Sequence, residues 1–213
     1  MCRRVAEELG FIYLDTGSMY RAVAWALLKN NIDPRSDMDI EQSLPCLPIE
    51  FAIESNSLSI FYGGTGIADD LRNPETTRYA SLVSQRKPVR DYLTLCQRKL
   101  AAMGNVVAEG RDMGTVVFPD AEVKVFLTAN LETRTQRRLL EYHNKGVPMD
   151  YASLEAQIKA RDEADQSRSI APLRAGEGVA VLDSSHLNID QVVGLLLTMA
   201  SAALKEEGDR FRE

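Results

Sequence analysis

The residues best suited to bind a charged ligand follow a short apolar run, Val106–Ala108. They are Glu109, Gly110, Arg111 and Asp112, so that two acids and one base lie within four residues. An arginine binds a phosphate through two parallel hydrogen bonds, and a carboxylate accepts hydrogen bonds or binds a cation. The same residues are also compatible with an exposed turn that carries a solvated ion pair. The neighbouring sequence favours the first interpretation.

A second polar group follows another apolar run, residues 11–14. Residues 15–18, Asp-Thr-Gly-Ser, lead into a helical pattern that contains Arg21. Helix N-termini attract anions because their first backbone N–H groups have no partner within the helix. Thr16 and Ser18 are alternative candidates for the N-cap residue. Capping the helix and binding an anion are compatible roles.

Two predicted helices, at residues 75–86 and 88–103, carry Ser81 and Arg90. Pro88 opens the second helix at its first turn. Arg90 lies within a turn of that N-terminus, where a positive charge is unfavourable for the helix dipole. A solvent-exposed arginine is the simplest interpretation, but the unfavourable position indicates a role in binding.

A helix is predicted from Tyr151 to about Gln166. Its apolar stripe consists of Tyr151, Leu154 and Ile158. Continued two turns further, the stripe reaches three charged residues, Arg161, Asp165 and Arg168. Such a charged face suits a lid that closes over anions. Alternatively, the helix extends beyond the core into water.

A further helix is predicted from Asn130 to about Asn144. It carries Arg134, Arg137 and Arg138 at a spacing that puts them on one face. The simplest interpretation is a solvated face paired with Glu141 and its neighbours. We expect the charged tail from Glu206, at the end of the last helix, to fray.

Buried strands are predicted where short apolar runs are bounded by Gly, Pro or Asp, each followed by a helix: residues 11–14, 105–108, 123–127 and 179–183. Alternation of strands and helices is typical of a parallel sheet with helices on both faces. The sequence therefore predicts an α/β protein.

Residues 49–53 and 58–62 alternate apolar and polar around a polar turn and predict a hairpin. Residues 63–66, Gly-Gly-Thr-Gly, are interpreted as a turn because no lysine follows them. We place the hairpin in an inserted subdomain of about residues 33–85. Residues 1–32 and 86–213 then form the core, with a lid at about 160–173.

The bulk composition excludes some functions. The chain has 213 residues and a net charge of −6, with an isoelectric point near 5.1. A polynucleotide-binding protein usually carries a basic face, so this composition argues against one, although not against a small anionic ligand. No apolar run reaches the roughly 20 residues that a membrane span needs, and the N-terminus does not resemble a signal peptide.

The cysteines Cys2, Cys46 and Cys96 are far apart and odd in number. No cysteine or histidine spacing predicts a zinc site, and no metal-ligating residues are assigned. A reduced, cytoplasmic setting is expected. The cysteines are interpreted as small core or surface residues rather than as catalytic thiols.

Three motifs resemble those of bacterial cytidylate kinases. They are Leu14–Arg21 (LDTGSMYR), Glu109–Ala121 (EGRDMGTVVFPDA) and Arg161–Leu173, with the spacing RDxxDxxRxxAPL. The second motif is long and specific, and the third is specific in its spacing. The similarity covers essentially the whole chain, from Cys2 to the final helix. The hairpin also resembles the enlarged nucleotide-binding subdomain of the bacterial type.

The resemblance implies a nucleoside monophosphate kinase of the P-loop NTPase-like fold, with a core, a monophosphate-binding subdomain and a lid. It implies transfer of the γ-phosphate of ATP to CMP or dCMP, with Mg²⁺ as cofactor. It further implies a cytoplasmic monomer that binds neither nucleic acid nor membranes.

The resemblance also implies a set of residues that bind the nucleoside. Ser81, Arg90 and Asp112 would hydrogen-bond the cytosine, whose edge presents an amino donor beside acceptors and so requires both a carboxylate and donors. Asp165, from the lid, would contact the sugar hydroxyls.

A second implied set surrounds the phosphate groups. Thr16, Arg21 and Arg111 would contact the CMP phosphate, and Arg161 and Arg168 would reach over the phosphates from the lid. Arg111, Arg161 and Arg168 are the implied catalytic residues. Phosphoryl transfer requires little covalent chemistry from a protein and much positive charge around the equatorial oxygens, which agrees with this arrangement.

The sequence departs from the family at its beginning. The family starts with a strand and a Gly-x-x-x-x-Gly-Lys-Ser/Thr loop that holds the ATP phosphates. No such motif occurs in these 213 residues, and Met1–Val5 matches the helix that follows the loop. The central strand and the Walker A loop are therefore interpreted as missing, and no cofactor-binding residues are assigned.

Two explanations fit this departure. In the first, the start lies too late in an otherwise normal enzyme, and the 213-residue chain is expected to be unstable and nearly inactive. In the second, the chain is a natural remnant that binds CMP without transferring phosphate. We favour the first, because the acceptor-site and lid residues are all present and a sheet without its middle strand would leave unpaired edges.

Other functions are compatible with the same residues. A non-catalytic CMP-binding module would explain the missing loop. A nucleic-acid-binding protein would use the same arginines, but the acidic composition argues against it. A kinase for another acceptor, such as UMP or a shikimate-like alcohol, is the nearest alternative, since only the resemblance assigns cytosine to Ser81 and Asp112.

Overall fold

The structure is a computed structural model that describes residues 1–210, with the side chains of residues 1–205. The side chains from Glu206 onward are outside the described part of the chain, so the predicted fraying of this tail stays a prediction. The chain divides into two compact units, Cys2–Met113 and Gly114–Glu213, the second of which also includes Met1. None of the described helices is long and apolar enough to cross a membrane.

The first unit, Cys2–Met113, is built on a mixed sheet. Strand β1 (Ile12–Asp15) pairs in parallel with β5 (Val106–Glu109) on one side and with β3 (Ser57–Tyr62) on the other. β3 also pairs in the antiparallel sense with β2 (Ile49–Glu54), which confirms the predicted hairpin, and with the short β4 (Thr65–Gly66). The register places Asp15 opposite Glu109, so the two predicted polar groups adjoin at the carboxyl ends of neighbouring strands.

The helices of the first unit follow the predicted pattern. They are α1 (Cys2–Leu9), α2 (Thr16–Lys29), α3 (Asp37–Ser43), α4 (Pro74–Val83) and α5 (Lys87–Ala101). Single 3₁₀ turns lie between α3 and β2, at Leu44–Cys46, and between β4 and α4, at Asp70–Arg72. Local sequence explains several boundaries: Gly10 follows α1 at φ 68°, a conformation that glycine adopts without strain, and Pro88 lies in the first turn of α5 as predicted.

The core of the first unit lies around α2. Its fully buried side chains include Leu14, Met19, Val23, Leu27, Ile40, Val83, Val89 and Leu93. Each such side chain contributes roughly 1.5–3 kcal/mol through burial. Outside this core, the ammonium of Lys29 lies over the rings of Trp25 and Tyr62, 4.5 and 4.8 Å from their centroids, which links α2 to the end of β3.

The second unit contains the other two predicted strands. β6 (Val125–Thr128) pairs with β7 (Ala180–Asp183) in parallel. A short π-helical turn, Met113–Val117, precedes β6. The helices are α6 (Leu131–Asn144), α7 (Tyr151–Ser167) and α8 (Ile189–Arg210). The four predicted strands and their parallel orientation are thus confirmed, as the pairs β1–β5 and β6–β7 in two sheets.

Two helices of the second unit agree closely with the sequence pattern. α7 buries Leu154, while Tyr151 and Ile158 are half-buried, so the predicted apolar stripe is confirmed. Before α8, the Asn188 side chain accepts a hydrogen bond from Gln191 N and the Gln191 side chain accepts one from Asn188 N, both at 2.9 Å. This reciprocal pair is a capping box, which satisfies backbone donors at the start of the helix.

The predicted solvated arginine face of α6 is confirmed in part, since Arg137 and Arg138 are exposed. Arg138 does bond to Glu141, at 2.6 Å. Arg134 instead forms an ion pair with Asp162 of α7 and also donates to a backbone carbonyl. Arg137 donates to the carbonyl of Ser184, at 2.6 Å, and to a second carbonyl further on. The single-helix pattern did not reveal these partners because they lie in other elements of the fold.

Candidate nucleotide-binding site

Asp15, rather than Thr16 or Ser18, is the N-cap residue of α2, so that prediction is wrong. Its Oδ1 accepts a hydrogen bond from Ser18 N at 2.9 Å. Its Oδ2 accepts from the hydroxyl of Ser18 at 2.5 Å and from Nη2 of Arg21 at 3.2 Å. The same Nη2 also donates to the hydroxyl oxygen of Ser18 at 2.6 Å. An acid, a hydroxyl and a guanidinium are therefore connected within the first two turns of the helix.

Thr16 makes a contact other than a helix cap. Its side chain is buried, and its hydroxyl donates to the carbonyl of Glu109, at 2.7 Å. The ends of β1 and β5 are thereby joined. A Cβ at Gly110 would lie 2.5 Å from Oγ1 of Thr16 and 2.8 Å from a carbon of Met113, so only glycine fits this close approach.

Arg90 and Asp112, two of the residues expected to bind cytosine, form a buried ion pair. Their side chains are only 5% and 3% exposed, which excludes the simplest interpretation of Arg90 as a solvated arginine. A second guanidinium nitrogen donates to the carbonyl of Ser84 at 2.9 Å. The ring of Tyr20 lies 5.7 Å from the guanidinium carbon. A charge pair this well buried requires the surrounding hydrogen bonds to offset its desolvation.

The remaining predicted residues of the first unit are less constrained. Ser81 lies half-buried in α4, and its carbonyl accepts a hydrogen bond from the Ser84 hydroxyl at 2.9 Å. Arg111 is exposed immediately before Asp112. An exposed guanidinium retains its reach toward an incoming anion.

The partners of Glu109, at the carboxyl end of β5, were not singled out in the sequence. The hydroxyl of Tyr13 donates to Oε1 of Glu109 at 2.6 Å, and the guanidinium of Arg3 lies 4.9 Å from the Tyr13 ring centroid. Burial and this bond to the carboxylate raise the pKa of Tyr13. Burial, followed by the nearby Glu109 carboxylate, raises the pKa of the Cys2 thiol to about 12. Neither local spacing nor composition signals a contact between residues 96 positions apart.

In the second unit, Asp165 and Arg168 lie together at the end of α7. Their closest nitrogen and oxygen atoms are 3.6 Å apart, and both side chains are buried. The carbonyl of Asp165 accepts a hydrogen bond from Leu173 N at 2.8 Å, which fixes the start of the following segment. Arg161 is exposed on the same helix. Two of the three charged residues predicted to extend the apolar stripe are therefore buried and paired.

ATP and Mg²⁺ require a phosphate-binding loop and side chains that bind a metal ion. No group of three or more acidic, histidine or cysteine side chains lies close enough to hold a metal ion within the described part of the chain. No Gly-x-x-x-x-Gly-Lys-Ser/Thr loop occurs in the sequence. The residues present thus do not fit a triphosphate-binding loop, whereas the Arg21 and Arg90 groups suit a phosphate and a polar base edge.

Comparison with known proteins agrees with this geometry. Residues 1–202 match the family described as Cytidylate kinase. A cytidylate kinase of Caldicellulosiruptor bescii is 41% identical over 203 residues, which cover 95% of this chain and 90% of the relative. One from Thermosipho melanesiensis is 41% identical over 205 residues, or 96% of this chain and 92% of the relative.

A longer relative matches in one part only. The bifunctional pantoate ligase/cytidylate kinase of a Prochlorococcus marinus strain is 41% identical over 207 residues, which cover 96% of this chain but 41% of that protein. With a family match over nearly all of its length and relatives this similar, the chain belongs to the cytidylate kinase family.

Proposed function

We propose that the chain binds CMP or dCMP as the phosphate acceptor of a cytidylate kinase, in which the γ-phosphate of ATP is transferred to give CDP or dCDP. The buried Arg90–Asp112 pair is the observation that carries this proposal. A carboxylate and a guanidinium held rigidly side by side offer an acceptor and donors to one planar ligand edge. The family relationship identifies the ligand class.

The base preference follows from the charge of Asp112. The amino group of cytosine donates to a carboxylate, whereas uracil presents a carbonyl oxygen at that position and would meet like partial charge. A site built to hydrogen-bond one group rejects the analogue that leaves it unpaired. We therefore propose that Ser81, Arg90 and Asp112 bind cytosine and that UMP is a poor acceptor.

The phosphate contacts are assigned to other residues. We propose that Thr16, Arg21 and Arg111 surround the CMP phosphate, that Arg161 and Arg168 contact the phosphates, and that Asp165 contacts the sugar. Thr16 would act through its oxygen and position, since its proton is donated to Glu109. Fixed positive charges offset the charge on the equatorial oxygens during phosphoryl transfer.

Binding measurements on the 213-residue chain test the acceptor site directly. By calorimetry, we expect CMP to bind at least about 100-fold more tightly than UMP. The Asp112→Asn variant should lose most of that discrimination. Equal affinities for CMP and UMP in the unmodified chain would refute the cytosine assignment.

Turnover tests the reaction itself. We expect CDP to form from CMP and ATP when the chain is preceded by a strand and a Gly-x-x-x-x-Gly-Lys-Ser loop, and very little CDP to form without them. Absence of CDP from the extended protein, despite tight CMP binding, would instead favour the second candidate, a CMP-binding protein that transfers no phosphate.

We further propose that the protein acts in the cytoplasm as a monomer without nucleic acid or membrane partners. The free thiols of Cys2, Cys46 and Cys96 and the net charge of −6 support this assignment. Light scattering should give a mass of 23.7 kDa, and a doubled mass would refute the monomer.

A further inference from the structure

The guanidinium of Arg21 is held by hydrogen bonds from Nη2. Nη2 contacts both the Asp15 carboxylate and the Ser18 hydroxyl, at 3.2 and 2.6 Å. Nε, in contrast, is inaccessible to solvent and has no hydrogen-bond partner among the described residues. A buried donor without a partner costs about 1–3 kcal/mol. Arg21 is therefore fixed by Asp15 and Ser18 through Nη2, while Nε of the same guanidinium is unsatisfied.

The Asp15 carboxylate is itself held by a contact that does not involve Arg21. Its Oδ1 accepts from Ser18 N, so the carboxylate cannot rotate without losing the cap of α2. The free oxygen, Oδ2, is thereby directed at the Ser18 hydroxyl and Arg21. The backbone of the helix thus determines where the guanidinium lies.

Gly17 independently indicates that this arrangement is tightly packed. A Cβ at this position would lie 3.2 Å from Oδ1 of Asp15 and 3.4 Å from Nη1 of Arg21. An added Cβ would press on the Asp15 carboxylate and lie in contact with the Arg21 guanidinium. Gly17 has no positive φ that would require glycine for conformational reasons, so lack of space is the remaining local reason for glycine.

We propose that Asp15 is a positioning residue for phosphate binding: it holds Arg21 so that the guanidinium meets the phosphate of the nucleoside monophosphate in a fixed orientation. This inference rests on the proposed function. Pre-organisation of this kind removes the cost of ordering a flexible arginine side chain when the ligand binds. Asp15 does not touch the ligand and acts through Arg21.

The Asp15→Asn variant separates positioning from helix capping. An asparagine retains a carbonyl oxygen that accepts from Ser18 N, so α2 keeps its cap. Its amide nitrogen cannot accept from Ser18 or Arg21, so the guanidinium loses its charged partner. Ser36→Ala is the matched control, because Ser36 caps α3 of the same unit through Asp39 N and is not bonded to Arg21.

We expect Asp15→Asn to weaken CMP binding about tenfold by calorimetry and to leave cytidine binding unchanged, since cytidine has no phosphate. In combination with Arg21→Met, the loss should be far smaller than the sum of the two single losses, because without Arg21 there is nothing for Asp15 to position. Ser36→Ala should bind CMP like the unmodified chain. Additive losses, or tighter CMP binding by Asp15→Asn, would overturn the proposal.

A ligand-free measurement keeps this test independent of the proposed function. In the unmodified chain, the ¹⁵N NMR signal of the Arg21 Nε–H should be sharp and slow to exchange, and in Asp15→Asn it should broaden. If the unmodified chain fails to bind CMP, the proposed function fails, whereas the NMR result still reports whether Asp15 fixes Arg21. An unchanged Arg21 signal in Asp15→Asn would overturn the positioning role whatever the affinity for CMP.

Discussion

At the scale of single residues, the buried pair of Arg90 and Asp112 has the largest energetic consequence. Both side chains are almost inaccessible to solvent, so the loss of one partner leaves a charge in a medium that solvates it poorly. An exposed pair one turn away on α5, between Lys87 and Asp91, has nearly the same chemistry in water. The two pairs therefore form a natural comparison.

We expect Asp112→Asn to lower the free energy of unfolding by about 3 kcal/mol, because the Arg90 guanidinium is left without its counter-charge. Urea unfolding at neutral pH, followed by circular dichroism, measures this. Asp91→Asn is the control and should not change the midpoint beyond the experimental error, since surface ion pairs contribute little. Equal midpoints for the two variants would show that burial of the pair has little effect on stability.

The cysteines allow a second residue-scale prediction. Because the pKa of Cys2 is raised to about 12, only about one molecule in 10⁴ carries the reactive thiolate at pH 8. Cys46 is exposed. Iodoacetamide at pH 8 should therefore alkylate Cys46 long before Cys2, as read by peptide mass spectrometry. As pH rises toward the pKa of Cys2, its rate should increase about tenfold per pH unit. Faster alkylation of Cys2 than of Cys46 would contradict this environment.

Residue types were predictable from the sequence, whereas their partners were not. The acid, hydroxyl and arginine at positions 15, 18 and 21 have spacings of three residues, and this signal could have identified Asp15 as the cap and as the partner of Arg21. Thr16 was taken for a capping residue because its acceptor, the carbonyl of Glu109, is 93 positions away. The partner of Arg90 was unpredictable for the same reason, because Asp112 belongs to the motif Glu109–Ala121, in another part of the sequence.

At the scale of elements, the strands and helices were largely predictable because their signals are local. Apolar runs and Pro88 mark boundaries that the structure confirms, and Gly10 and the Asn188–Gln191 pair are local signals of the same kind. The pairing of β3 with β1 was not predictable, since the hairpin carries no information about which strand it joins. The close approach between the ends of β1 and β5 is also non-local, and it can be tested at one glycine.

Gly110→Ala tests that close approach. Because the added Cβ would lie 2.5 Å from Oγ1 of Thr16, we expect either the Thr16–Glu109 bond or the strand ends to shift, with a loss of about 2 kcal/mol in stability and a loss of CMP binding.

Gly104→Ala, just before β5, is the matched control. Its Cβ would make an ordinary contact, 3.5 Å from a carbon of Ile12, and we expect unfolding and CMP binding close to those of the unmodified chain. Thermal unfolding and calorimetry compare the two variants. If Gly110→Ala were as stable as Gly104→Ala, the strand ends would have to be less tightly joined than the structure indicates.

At the scale of the whole molecule, the two compact units differ in the solvent exposure of one strand of each parallel pair, β1 and β7. In the first unit, three of the four residues of β1 are buried. In the second unit, β7 has three exposed residues of four, and Val181 is 63% exposed. Backbone hydrogen bonds are nevertheless alike: Ile12 N to Asn105 O is 2.8 Å, and Ala180 N to Lys124 O is 2.9 Å. β1 is also paired on both sides, with β3 and β5, whereas β7 pairs with β6 at the end of a two-stranded sheet. Strand pairing and apolar burial therefore both favour a higher local stability of β1.

Native-state hydrogen exchange should resolve this difference. Opening β1 exposes apolar side chains that burial otherwise stabilises by roughly 1.5–3 kcal/mol each, whereas opening β7 exposes few that are not already in water. We expect amide protection factors in β1 to be at least about tenfold higher than in β7, measured by NMR or mass spectrometry under identical conditions. Equal protection in the two strands would mean that neither apolar burial nor pairing on both sides raises the local stability of β1.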